Sequence, residues 1–326
     1  MKRALLRAAA LCICSIVCLL AGCAKPSPEK VSAVGFYLDT VINISVYGVT
    51  QQVVDDALSK CGEYERILSK TVEGSDVWRI NHAQGAPVQV SEHTRTILET
   101  AQTVSAASDG AFDVTIAPAS ALWDFQVEAP APPDAKELFQ AAALTDYTKL
   151  KLEGDTVTLP AGMQIDLGGI AKGYIADEIA DYCRAQGVKS GILNFGGNVV
   201  VIGTKPDGSD WRVGVQDPDQ PTGEPLFALP VADGSVVTSG NYERFFLFDG
   251  VRYHHILDPK TGWPVQNELS SVTILTKSSM LADAYSTACY VLGLEEGMKL
   301  VEATPDIEAV FITAEEEIIR SGGLAE

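Results

Sequence analysis

From Phe36 to Tyr47 the chain alternates, with Phe36, Leu38, Ile42, Ile44 and Val46 on one parity and Asp39, Asn43 and Ser45 on the other. A period of two predicts a half-buried strand. Val54, Leu58, Cys61 and Leu68 then recur at helical spacing, and a second amphipathic helix carries Ile97, Ala101 and Val104 and stops near Gly110. Residues 126–137 are Pro-rich and predict a surface loop. Met163 to Leu167 reads as a strand end, Gly168-Gly169 as a tight turn, and Ile175, Ile179 and Tyr182 as one face of a helix ending near Gly187. Short β-rich runs follow at 191–193, 199–202, 211–215, 226–231, 245–248 and 271–276, many joined by Gly, Asp or Pro turns. A final helix is expected from about Ser279 to Leu292, stopped by Gly293. With no internal repeat, this mixture predicts an α+β fold of mostly antiparallel sheets with packed helices.

The first 22 residues break the pattern. Lys2, Arg3 and Arg7 precede an apolar run from Ala8 to Leu20, which ends in Leu20-Ala21-Gly22-Cys23. The run is short for a bilayer span, and small residues before a cysteine fit a bacterial lipoprotein signal. The expected organisation is a signal peptide over 1–22, a lipidated Cys23 with a flexible tether over 23–33, and one large domain or two subdomains over 34–326. Such a protein would be extracytoplasmic, lipid-anchored, most simply on the outer face of the cytoplasmic membrane.

Charge narrows the partners. The chain carries -19, and losing the signal removes three cations and no acids, giving -22. So acidic a surface repels nucleic acid, and it would hold an anionic substrate only with help from a metal or from local amides. Of seven cysteines, Cys61, Cys183 and Cys289 would remain free after processing. Their apolar contexts and odd number fit small buried hydrophobes rather than a disulfide framework or a zinc site.

Four segments could carry chemistry. In 166–174, DLGGIAKGY, a glycine pair precedes a helix start, where backbone and unpaired amides can approach an anion. The spacing fits neither a Walker loop nor a dinucleotide fingerprint, and alone it equally suits a plain turn. Asn194 to Asn198 holds a second glycine pair, which in isolation reads as a β-turn. Asp283 and Thr287, four apart on the last helix, put a carboxylate and a hydroxyl on one face, hard oxygen ligands suited to magnesium. An acid in a first helical turn is also simply favoured by the helix dipole. Lastly, His254 and His255 are adjacent in a chain of four histidines, so only one should face a given site.

Taken together, these segments resemble the ApbE family of FAD:protein FMN transferases. The matching stretches are GFYLDTVINISVYG, ILSKTVEGSDVWRIN, SDGAFDVTIAP with LWDF, IDLGGIAKGYIAD, GILNFGGNVVVIG, VVTSGNYERFF, YHHILDPKTGWPV and LADAYSTACYVLG, in the family's order. Many members read Met-Gly-Thr where this chain has Leu38-Asp39-Thr40, and many carry an aromatic near Thr71.

The resemblance implies an α+β fold with an FAD-binding cleft, and transfer of FMN from FAD to a threonine of another protein with release of AMP. It makes Asp283, Thr287 and the Ala171 carbonyl magnesium ligands and places His255 beside the transferred phosphate. It puts flavin-site positions on Leu38, Trp78, Asp113, Asp166, Lys172, Gly197, Thr238 and Ser239. The acceptor implied is an extracytoplasmic electron-transfer protein. Two other functions stand beside it: an FAD pyrophosphatase giving FMN and AMP, which needs the same magnesium site, and a non-catalytic flavin-binding lipoprotein, which has no need of the aligned carboxylate and hydroxyl or of the histidine. Flavinylated acceptor separates the first from transfer, and magnesium-dependent AMP release separates both enzymes from the second.

Overall fold

A computed structural model describes residues 28–125, 127–221 and 223–324. The signal peptide at 1–22 and Cys23 lie outside the described residues. Among the described residues, no helix is long and apolar enough to cross a membrane.

The N-terminal alternation is two strands, not one. β1 (Lys30–Tyr37) pairs antiparallel with β2 (Thr40–Tyr47), and Tyr37 opposes Thr40. The two-residue turn is Leu38-Asp39, with φ of 55° at both. That is the left-handed geometry which hairpin turns require and which Asn-Gly usually advertises, so these two residues hid the turn. Phe36 consequently leaves the core face and is exposed, while Ile42, Ile44 and Val46 are buried as expected. Residues 30–33, read as tether, belong to β1.

The helices follow their periodicity. α1 (Gln51–Leu68) buries Val54, Ala57 and Cys61, and α2 (Asp76–His82) is capped by the Ser75 hydroxyl. After β3 (Val88–Gln89) comes α3 (Glu92–Ala107), where the Ser91 hydroxyl accepts from Thr94 N. α4 (Ala117–Ser120) and α5 (Ala135–Ala142) follow; Asp134 caps α5, so the Pro-rich loop ends earlier than 137. β4 (Lys151–Glu153) and β5 (Thr156–Thr158) form a small sheet with β3.

Met163–Leu167 is extended but lies in no sheet; it makes one bridge, Gln164 to Ile116. Side chains take the place of a neighbouring strand. Asn81 holds both main-chain groups of Ile165, at 2.7 and 2.9 Å. This segment leads into α6 (Ala171–Ala185).

The rest of the chain is β6 (Gly191–Phe195), β7 (Asn198–Ile202), β8 (Trp211–Gln216), β9 (Pro225–Val231), β10 (Gly234–Gly240), β11 (Phe245–Phe248), β12 (Val251–His254), β13 (Leu269–Thr276), α7 (Ser279–Ala303), β14 (Glu308–Thr313) and β15 (Ile318–Arg320). An antiparallel sheet runs β1-β2-β6-β7-β10-β13-β14-β15. Its strands alternate between two cores. Ile44, Leu193, Val237 and Ile274 pack with the helices, while Val201, Val236, Val310 and Ile312 pack under the β8–β9 pair. Strands β3, β4, β5, β10, β12, β14 and β15, and the first six residues of β1, are not marked in the sequence pattern. α7 breaks at Gly293 (φ 79°), as expected, but resumes to Ala303 because Glu268 Oε1 accepts from Leu294 N at 2.7 Å. Cys61, Cys183 and Cys289 are buried free thiols, pushed up to about 12, 11 and 12 by burial.

Candidate functional site

The site is built on the crossing of α6 and α7. A Cβ on Gly173 would land on the Ser279 carbonyl oxygen, so the two helices approach this closely only through glycine. Each helix lends a carboxylate to the other's N-terminus. Asp177 accepts from Ser279 N at 2.7 Å, Met280 N at 3.0 Å and the Ser278 hydroxyl at 2.8 Å. Asp283 Oδ2 accepts from Gly173 N at 3.0 Å. Unpaired amides and the helix dipole attract both acids, so the crossing is held by charge as well as by packing.

Asp283 is 3 % exposed, and its other oxygen lies 3.4 Å from Lys172 Nζ. Lys172 also donates to the Gly168 carbonyl at 3.2 Å. One turn beyond Asp283, Thr287 Oγ1 lies 3.4 Å from Ser239 Oγ, which is 2.8 Å from Ser286 Oγ. The glycine turn passes directly above: a Cβ on Gly169 would stand 3.5 Å from Thr287 Oγ1. The family-implied magnesium set of Asp283, Thr287 and Ala171, the first residue of α6, thus lies where this turn, α6 and α7 meet.

Among the described residues, no group of three or more His, Cys, Asp or Glu side chains could hold a metal. The donors here are one carboxylate with neutral hydroxyl and carbonyl oxygens, the hard and incomplete shell that suits an ion shared with a phosphate. These residues therefore fit magnesium.

Above the glycine turn, Asp166 is held by Lys70 Nζ at 2.6 Å, Gly168 N at 2.9 Å and the Ser120 hydroxyl at 3.1 Å. Burial would raise its pKa, but the Lys70 ammonium and these hydrogen bonds hold it below the ordinary range. Gly197 (φ 99°) sits in the β6–β7 turn, with its N–H on Asn194 Oδ1 at 2.8 Å. Leu38 donates its N–H to Glu65 Oε1 at 2.7 Å. Trp78 stacks on His82 at 4.0 Å, one turn from the Asn81 that braces Ile165.

Two expected flavin-site residues are committed elsewhere. Asp113 is a buried brace, with Oδ1 taken by the Thr115 amide and hydroxyl and Oδ2 by Tyr147 N. Burial raises its pKa against those bonds. Thr238 bonds to Thr273 across the sheet at 2.8 Å. It shares a face with Val236, under β8–β9, whereas Ser239 shares the helix face with Val237. Of the pair, the structure brings only the Ser239 side chain to the site.

The two histidines separate as the alternation expects. His254 is 2 % exposed; Nε2 donates to Val265 O at 2.8 Å, Nδ1 accepts from Ile256 N at 3.3 Å, and the ring meets Tyr290 edge-on. It is a structural residue. His255 follows the end of β12, and its N–H donates to Arg244 O at 3.1 Å. Its Nδ1 is buried with no hydrogen-bond partner. Burial first, then Arg244, His254 and Lys172, push it down to about 3, so its ring is neutral at pH 7.

Sequence reasoning missed Glu243. Its surface is open to solvent, yet protein atoms crowd it, and that desolvation pushes it up to about 7 against Lys172 and Arg244. Its Oε1 lies 3.9 Å from where a Gly197 Cβ would stand. Nothing in its local pattern marks it, because it occupies the turn after a strand that periodicity did not reveal. Lys70, the partner of Asp166, lay inside a matched segment but was not singled out.

The chain is similar to known proteins over most of its length. The sequence profile of the ApbE family matches residues 38–311. A Klebsiella pneumoniae protein named FAD:protein FMN transferase is 36% identical over 284 residues, covering 86% of this chain and 88% of that protein. A Treponema pallidum protein of the same name is 33% identical over 337 residues, covering 95% and 93%. Among solved structures, the ApbE protein of Thermotoga maritima superposes with a TM-score of 0.84 at 32% identity, covering 90% of this chain and 98% of that one. The flavin transferase ApbE of Vibrio cholerae gives 0.79 at 30% identity, covering 90% and 98%.

Proposed function

The chain belongs to the ApbE family and acts as an FAD:protein FMN transferase; on that premise we propose a magnesium-dependent transfer to a threonine hydroxyl, with His255 taking the threonine proton. The observation that carries the reading is the close approach of Gly169 to Thr287, with Lys172 tied to both the Gly168 carbonyl and Asp283. Glycine lets backbone approach a pyrophosphate, and Lys172 offsets its charge in a chain of -19.

In the step proposed, the threonine Oγ–P bond forms on the FMN half, the P–O bond to AMP breaks, and AMP leaves. His255 is neutral before substrate binds and so can accept the proton. A pyrophosphate beside it raises its pKa toward neutrality, because an anion favours the imidazolium. Asp283, Thr287 and the Ala171 carbonyl would hold magnesium, which when bound neutralises charge developing on the phosphates. Asp166, braced by Lys70, and Leu38, Trp78, Gly197 and Ser239 line the flavin side in this reading. Asp113 and Thr238 support it from behind.

We further propose that Cys23 is lipidated and that the acceptor is an extracytoplasmic electron-transfer protein. Cys23→Ser should then leave an unprocessed precursor; normal processing and membrane retention would overturn the anchor.

The deciding experiment incubates the protein with FAD, magnesium and envelope proteins of the host, reads in-gel flavin fluorescence and AMP, and locates FMN on threonine by mass spectrometry. Flavinylated acceptor with AMP, both lost in EDTA, is expected. AMP with free FMN alone would make the protein a hydrolase.

A further inference from the structure

Exposed apolar side chains are unevenly placed on this surface. Of ten large hydrophobic residues exposed among the described residues, seven lie on just two hairpins, β1–β2 and β11–β12. Scattered single apolar residues need no explanation, but a concentration of them does. On β1–β2, Phe36 and Val41 are register partners, 67% and 50% exposed, beside the Leu38-Asp39 turn. On β11–β12, Leu247 is 66% exposed, and the paired Phe248 and Val251 are 38% and 46% exposed at the tip.

Both hairpins are joined to His255 through one residue. Arg244 accepts the His255 N–H on its carbonyl at 3.1 Å, and its guanidinium donates to Asp39 O, in the β1–β2 turn, at 3.5 Å. The β11–β12 hairpin is a firm support rather than a loose arm. Phe246 stacks on Tyr253 at 5.4 Å and Tyr253 on Trp123 at 5.8 Å, so these rings fasten the hairpin to the body. The tip stays bare while the base is anchored.

We propose that the acceptor protein docks on these two apolar hairpins, with its threonine-bearing segment entering between them to reach His255. The inference rests on the transferase reading: the acceptor is the one macromolecule that the reaction obliges to bring a hydroxyl to this histidine. A lipid surface fits less well. The described chain enters β1 at Lys30, and the patch lies at the other end of that eight-residue strand, roughly 23 Å away at ~3.3 Å per residue. An anchor preceding Lys30 therefore joins the far end from the patch. Exposed apolar side chains concentrated beside a reacting group are what a protein partner can bury.

The test uses the full chain and the purified envelope protein found to carry FMN on threonine. Leu247→Asp and Phe36→Asp change exposed side chains outside the metal and flavin sets, so folding survives; Leu247→Met and Phe36→Leu are the conservative controls. The expected result is a KM for the acceptor raised about tenfold or more in each Asp variant. The kcat, FAD affinity and AMP release to water should stay unchanged, and the conservative variants should match the wild type. Unchanged KM in both Asp variants, beside a wild type that flavinylates normally, overturns the docking surface alone. Weakened FAD binding instead assigns the patch to the flavin. Loss of binding to anionic or neutral lipid vesicles, or of a dimer in sedimentation, with acceptor KM intact assigns it to a membrane or a second copy. A wild type that flavinylates no protein removes the transferase reading, and the docking surface with it.

Discussion

Asp283 Oδ2 accepts a hydrogen bond from Gly173 N at 3.0 Å, so the carboxylate of α7 caps the helix that starts at Ala171. One side chain therefore sets the helix crossing and stands in the proposed metal shell. Asp283→Ala should cost about 0.5–2 kcal/mol of stability as a lost cap. It should also abolish the rise in Tm that magnesium gives the wild type through binding the native state. Thr287→Ala removes a neutral ligand only, and high magnesium should restore most of its Tm rise and AMP release. Thermal melts across a magnesium titration distinguish the two, and an Asp283→Ala protein with the wild-type magnesium response would refute the assignment.

Gly173→Ala tests the crossing without touching a ligand. The added Cβ is fixed in place by the backbone and meets the Ser279 main-chain carbonyl, so neither partner can rotate away. Overpacking of this kind costs about 1–3 kcal/mol or more. A lowered Tm should come with weaker FAD binding, because α6 and α7 must separate. An unchanged Tm would mean that the helices are less tightly coupled than their geometry states.

His254 and His255 should fail in different ways. His255→Ala should fold, bind FAD nearly normally and transfer FMN on the order of a hundredfold to ten-thousandfold more slowly. His254→Ala should instead lose about 2–4 kcal/mol, because it opens a cavity and orphans the Val265 carbonyl and the Ile256 amide. Denaturant titration beside FAD affinity and single-turnover transfer separates these outcomes. A stable His254→Ala protein that cannot transfer would reverse the assignment.

The pH dependence of stability carries opposite signs at two groups. His255 is depressed from 6.5 to about 3, so its contribution is present above pH 6.5 and is lost as pH falls through that window. Relative to His255→Gln, the wild type should lose Tm on going from pH 7 to pH 4. Glu243 is raised from 4.5 to about 7, so the protonated native form binds the extra proton and stability is lost as pH rises from 4.5 through 7. Relative to the wild type, Glu243→Gln should gain Tm from pH 5 to pH 8. Parallel Tm-against-pH curves for either pair would contradict the corresponding shift.

Periodicity determined much of this protein from its sequence alone. The helices at Gln51–Leu68 and Glu92–Ala107, the break at Gly293 and the run of β-strands from Gly191 are local, since apolar spacing and capping are decided within a few residues. The matched segments also pointed to Asp283, Thr287, Ala171 and His255 as the residues to which the proposal gives roles, because a motif travels with its sequence. Leu38-Asp39 was misread because two ordinary side chains occupy left-handed positions that a hairpin closure imposes on them. Met163–Leu167 was misread because its strand partner is the Asn81 side chain, 84 residues away. Whether Thr238 or Ser239 faces the site depends on which sheet face the helices cover, and whether Asp113 is free depends on a loop that brings Tyr147 to it. The electrostatics of Glu243 and His255 are likewise collective. Burial and neighbouring charges come from Lys172 on α6, Asp283 on α7, Arg244 and His254, which meet only in the folded chain, and only tertiary structure sets the distance between them.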